Sequence, residues 1–241
     1  VQAYVYAAKR AVAALAVRRG ERDLARSLEQ QAETLRERFE QAFWCPDLGT
    51  YALALDGHKR PCRVRSSNAG HVLFAGLADP VRARRTAATL LDRDSFSGWG
   101  VRTIAQGEAR YNPIAYHNGS VWPHDNAVVA LGLARYGLKR EAARLLEGLV
   151  SAAIHADGRR LPELFCGFMR RPHSGPTAYP VACIPQAWAA AAPFGLLAAC
   201  LGLEIRHDRG EVRLRDPVLP DMLDQLVLTG LSVNGDTLDL R

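Results

Sequence analysis

Apolar positions at the start of the chain recur at the three- and four-residue spacing of a helix. Val1, Tyr4, Val5, Ala8, Val12, Leu15 and Ala16 share one face. Gly20 interrupts the pattern, and Leu24, Leu28, Leu35, Phe39, Ala42 and Phe43 form a second face, so two consecutive helices are predicted over 1–19 and 21–43. No Ser, Thr, Asp or Asn precedes the first face, as expected of a chain cut from something longer. The period then changes to two. Tyr51, Leu53 and Leu55 alternate and run into Asp56-Gly57, a hairpin turn signal. Ser67-Asn68 is placed to cap a helix over 69–78, and Asp79-Pro80 to open another through Leu91.

A loop over 92–124 leads to a stretch, 125–136, that is apolar nearly all round and predicts a buried helix. The next, 138–155, is one-sided, with Ala142, Leu145, Leu146, Leu149, Val150 and Ala153 opposite its charges. A buried helix followed by an amphipathic one suits the inner and outer layers of an α/α barrel, and an ordinary helical bundle gives the same alternation. A second long loop, 156–185, precedes a helix over 186–201. Beyond it the chain turns to short β-like runs at 203–205, 212–214, 226–228 and 238–240, with Asn234-Gly235 as a turn. These patterns divide the chain into a mainly helical domain, 1–202, and a small β appendage, 203–241.

Composition narrows the function classes. The 48% hydrophobic and 23% charged residues are ordinary for a globular protein. No apolar run reaches the roughly 18–20 residues that span a membrane, so no membrane partner is expected. The formal net charge of +6 invites a nucleic-acid reading. The arginines, however, are scattered over amphipathic helices without interleaved aromatic platforms, and no nucleic-acid partner is expected. Five cysteines form no CxxC pair, which predicts buried free thiols rather than a zinc site or a disulfide framework.

Chemistry concentrates in three loop segments. In SGWGVRT (97–103) two glycines flank Trp99, and Arg102 adds a fork of donors; an indole face beside a charged donor suits a sugar ring, and a core Trp in a Gly-rich turn accounts for it equally well. YNPIAYHNGSVWPHDN (111–126) packs Tyr116, His117, Asn118, Trp122, His124 and Asp125 together, a density of polar and ring groups that is costly to bury without a ligand or a full set of partners. Its histidines match no common zinc spacing, so no metal is expected, and Asp125 is also placed to cap the helix that follows. In RRLPELFCGF (159–168), Glu163 is the only acidic residue between Asp157 and Glu204, in apolar company. Such a carboxylate is either paired with an arginine or kept for acid–base work with a raised pKa.

Together VQAYVYAAKRA, SNAGHVLFAGLA, SGWGVRT, YNPIAYHNGSVWPHDNAVVALGLARYG, RLPELFCGF and YPVACIPQAWAAAAPF resemble the bacterial glycogen-debranching-like glycoside hydrolases, relatives of mannosylglycerate hydrolase and glycoside hydrolase family 63. The matching stretches run in family order from Val1 to Phe194. The resemblance implies the C-terminal half of an (α/α)6 barrel and an inverting hydrolase of α-glucosides or related α-glycosides. It implies Glu163 as the general base, a general acid upstream of Val1, and no cofactor. Trp99, Arg102, Tyr116, His117, Asn118, Trp122, His124, Asp125, Gln186 and Trp188 become the expected pocket wall for an oligosaccharide or small glycoside. Two other readings stand beside it: Asp125 as acid with Glu163 as base, and a non-catalytic carbohydrate-binding or scaffold domain.

Overall fold

The computed structural model describes residues 1–241. Helix α1 (Gln2–Arg18) packs along α2 (Arg22–Phe43), the chain turning at Gly20 with a φ of +79°. On α2 the ion pairs Asp23–Arg26 and Glu33–Arg36 face outward while Ala25, Ala32 and Phe39 are buried. The period-two stretch forms two short antiparallel hairpins rather than one: β1 (Trp44–Cys45) with β2 (Thr50–Tyr51), and β3 (Ala54–Leu55) with β4 (Pro61–Cys62). Asp56 closes the second turn by accepting from the backbone N–H groups of His58 and Arg60.

Helix α3 (Asn68–Phe74) is shorter than the predicted 69–78, and Ser67 does not cap it. Ser67 has helical φ/ψ (−59°, −22°) instead of the extended geometry a side-chain cap needs, and its N–H is tied to the Thr103 carbonyl at 3.2 Å. Helix α4 (Pro80–Leu90) starts as expected, with the Asp79 carboxylate accepting from Val81 and Arg82 N–H. Helix α5 (Pro123–Arg135) begins two residues before the predicted start, with Pro123 in its first turn. Trp122 therefore takes the cap position and Asp125 falls inside the first turn, so its predicted capping role is wrong. Helices α6 (Lys139–Ile154) and α7 (Ala187–Leu201) follow.

Helices α3, α5 and α7 lie side by side, and α1 joins them where Tyr4 meets His71 and Phe74. Helices α2, α4 and α6 back this row, α6 behind both α5 and α7. The α3–α5 crossing depends on Gly132. A Cβ there would stand 2.6 Å from the Phe74 nitrogen and 2.9 Å from the Gly70 carbonyl, so no larger residue permits this approach. The result is a mainly helical domain whose row of helices holds the ends of the long loops.

Two further hairpins follow α7, β5 (Leu203–Arg206) with β6 (Glu211–Leu214) and β7 (Leu228–Val233) with β8 (Asp236–Leu240). Strand β7 starts where the predicted 226–228 run ends and continues past it to Val233. Lys139, at the start of α6, donates to the Arg215 and Asp216 carbonyls and ties the stretch after β6 to the helices. All five cysteines are free thiols. Cys45, Cys166 and Cys200 are buried as expected, Cys62 is half-buried, and Cys183 is exposed because the 180–185 run lies on the surface. No helix is long and apolar enough to cross a membrane.

Candidate active site

The chemistry-bearing loops are joined through their backbones. Arg102 bridges Val121, Val121 bridges Phe165, and Phe165 bridges Ala178. Val121 N–H donates to the Phe165 carbonyl at 2.9 Å and Phe165 N–H returns the bond at 3.1 Å. Gly119 and Gly167 meet backbone to backbone; a Cβ on Gly167 would run into the Gly119 carbonyl oxygen. In the first turn of α5, Asn126 grips the Val101 peptide groups from both sides, accepting from its N–H at 2.7 Å and donating to its carbonyl at 3.1 Å. Helix α5 and the loops are thereby one body.

Over this frame opens a cleft of about 470 Å³. Tyr116, His117, Asn118, Trp122, His124, Asp125 and Trp188 line it, facing Leu53, Asn68 and Thr103. Trp122 is the hub of the aromatic wall. Its ring meets Tyr116 edge-on at 4.9 Å, lies parallel to His117 at 6.0 Å, and meets His124 edge-on at 5.6 Å. Its indole N–H is spent on Ser120 Oγ and the Tyr116 carbonyl, so the ring face is what it offers. Trp188, 47% exposed at the rim, stacks on His124 with centroids 4.4 Å apart.

Glu163 stands beside Tyr116 and is 6% exposed. Its Oε1 accepts the Tyr116 hydroxyl at 2.6 Å, and its Oε2 accepts the Cys183 N–H at 3.2 Å. The Tyr116 hydrogen bond first, then the Cys183 N–H, hold this carboxyl below its usual range, outweighing the opposing effect of burial. The sequence reading of a raised pKa is therefore reversed, and no arginine pairs with this carboxylate. The same bond pushes the Tyr116 hydroxyl up to about 12. Burial pushes the His124 imidazole down, against the pull of Asp125 and Glu163, which favours its neutral form.

Three expected wall residues lie elsewhere. Trp99 is a core residue, 2% exposed, with the Arg170 guanidinium over its ring at 4.6 Å. Arg102 is 1% exposed and turns toward backbone, donating from Nε to the Gly167 carbonyl at 2.6 Å and from Nη1 to the Asp94 carbonyl at 3.0 Å, with Nη2 buried and unpartnered. Burial lowers its pKa. Gln186 is half-buried just ahead of α7, outside the cleft lining. The structure also adds a residue that the sequence did not single out. His71 Nε2 lies 2.6 Å from Asp125 Oδ1, and His71 Nδ1 lies 2.7 Å from the Tyr4 hydroxyl. The available signal was a lone polar side chain among Ala69, Val72 and Leu73 on a buried helix.

A search of curated protein sequences found no match. Among solved structures, a sialidase superposes on 99% of this chain with a TM-score of 0.76 at 17% identity, over 23% of its own length. The neutral trehalase of Saccharomyces cerevisiae matches 83% of the chain (TM-score 0.61, 17% identity, 37% of that protein). The family 63 mannosylglycerate hydrolase of Thermus thermophilus, in complex with glucose, matches 81% (TM-score 0.58, 23% identity, 46% of that protein). The chain thus spans between about a quarter and a half of the length of these structures. At these identities the likeness is one of fold: a helical domain with small hairpins that matches part of an (α/α)6-barrel glycoside hydrolase. The model of the mannosylglycerate hydrolase MGH1-like glycoside hydrolase domain matches residues 1–166, and the chain belongs to that family of glycoside hydrolases.

Proposed function

We propose that this chain is the C-terminal half of the barrel of an inverting glycoside hydrolase acting on α-glucosides or related α-glycosides, a short glucan branch among them, with Glu163 as general base. The observation that carries this reading is the setting of Glu163: a covered carboxylate with a donor on each oxygen, beside an aromatic cleft. Inversion requires one carboxylic acid to protonate the glycosidic oxygen while a carboxylate draws a proton from water on the opposite face of the ring. The two stand about 6.5–9.5 Å apart to leave room for that water. The base must be ionised before the reaction, and a carboxyl held below its usual range satisfies this at neutral pH.

The acid belongs, on this reading, to the part of the barrel that these 241 residues do not span. On this reading Asp125 belongs to the sugar-binding wall of the cleft rather than serving as the acid. A purely sugar-binding domain would have no use for a carboxylate poised as Glu163 is. Two carboxylates and water suffice, so no metal or organic cofactor is required.

The test compares the complete gene product with its Glu163→Gln variant on a panel of α-glucosides and α-mannosides. Turnover should fall by about 10²–10⁴-fold with sugar binding retained, and the wild-type product should emerge with inverted anomeric configuration by NMR. Unchanged hydrolysis in the variant removes Glu163 from the mechanism.

A further inference from the structure

Asp125 lines the cleft, yet only one of its oxygens is used inside the protein. The residue is 9% exposed, Oδ1 is engaged by His71, and Oδ2 is buried with no partner. Next to it in the chain, His124 also lines the cleft and has a buried Nδ1 with no partner. Polar atoms withdrawn from water without a hydrogen bond are costly and rare, and neighbouring examples in one cleft wall point to a ligand that supplies the bonds.

With His71 as the neutral imidazole, the bond pattern assigns the roles. An ionised carboxylate only accepts, so His71 donates from Nε2–H to Asp125. His71 Nδ1 is then the acceptor, and the Tyr4 hydroxyl donates to it. A relay thus runs from α1 through α3 to α5 and holds the Asp125 carboxylate in one orientation. Asp125 Oδ2 can take only a donor, whereas neutral His124 can donate or accept at Nδ1 according to its tautomer. Adjacent hydroxyls of a pyranose ring supply that combination.

We infer that Asp125 and His124 anchor a vicinal diol of the sugar ring, and that His71 and Tyr4 are positioning residues for Asp125. This rests on the sugar-cleft reading above but does not depend on Glu163 being the base.

The test titrates the complete gene product with methyl α-glucoside and its 2-, 3-, 4- and 6-deoxy analogues by NMR. In the wild type, two adjacent deoxy positions should each weaken binding about tenfold. In His124→Ala one of the two should no longer matter, and in Asp125→Ala the other, while the effects of the remaining deoxy positions persist. His71→Ala should weaken the Asp125 coupling, and Tyr4→Phe should do so less. His71→Gln should restore part of it, because an amide N–H can still reach Oδ1. Should Asp125→Ala melt, Asp125→Asn is measured in its place. If every deoxy effect survives the Asp125 or the His124 substitution, the anchor is overturned and the glycosidase reading stands. If the wild-type gene product binds neither methyl α-glucoside nor any analogue, the sugar cleft and the anchor fall together.

Discussion

Tyr116 sets the working range of Glu163. On the proposed reading this carboxylate works as a base only when ionised, so activity falls as pH drops through its pKa. The Tyr116 O–H bond is the main cause that lowers this pKa, and Tyr116→Phe removes it. The acidic limb of the kcat/KM profile of the complete gene product should then move to higher pH; an unmoved limb would sever Tyr116 from the base. Thiol reactivity offers a second check at this scale. Burial pushes the Cys45, Cys166 and Cys200 thiols up, Cys200 to about 11, and removes them from solvent. A maleimide followed by mass spectrometry should label Cys183 first, Cys62 next, and the other three only on unfolding. Early labelling of Cys45 or Cys200 would contradict the packing. Residue roles were the least legible part of the sequence. Trp99 and Arg102 have the right chemistry for a sugar, but whether an indole or guanidinium faces a cleft or its own core depends on partners far along the chain. Arg102 meets Gly167, and Trp99 meets Arg170.

Helices were read well wherever one face is continuous. The α2 and α6 patterns carry their own periodicity, Asp79-Pro80 is a complete start signal for α4, and α7 is apolar all round. For α1 the extent was read but not the buried face: Val5, Val12 and Leu15 are exposed, and Ala3, Tyr6, Ala13 and Ala16 are buried. Ser67 and Asp125 misled because capping depends on backbone angles, and those are set by loops that pin each helix start. The α3–α5 contact was invisible for a related reason: a glycine in a helix weakens its pattern without announcing what it touches. Gly132→Ala gains local helix propensity, yet its methyl meets the backbone of α3. Overpacking of this kind costs about 1–3 kcal/mol, so the midpoint of urea unfolding should drop. Gly137→Ala, with open space around its Cβ position but a φ of +75°, reports backbone strain alone and is the natural comparison. Equal stability of Gly132→Ala and wild type would mean that the helices can part at little cost.

For the molecule as a whole, the order of segments in the chain carried more information than any one of them. Three dense loops in one sequence order implied a family and a partial barrel, and the family match over 1–166 agrees. The shape of the cleft was not legible, because it arises where separate loops share hydrogen bonds. Those shared bonds also make the loops poor interchangeable parts. Lengthening the turn at His58, whose neighbours are exposed, leaves the rest of the molecule untouched. Adding one residue between Ser120 and Val121 would shift Val121 out of step with Phe165 and separate Gly119 from Gly167. A glycine inserted after His58 should leave melting and sugar binding near wild type, whereas one inserted after Ser120 should abolish binding. Equal tolerance at both places would refute the single-body description. New specificity in this scaffold is therefore more accessible by exchanging side chains on the cleft wall than by grafting loops of other lengths.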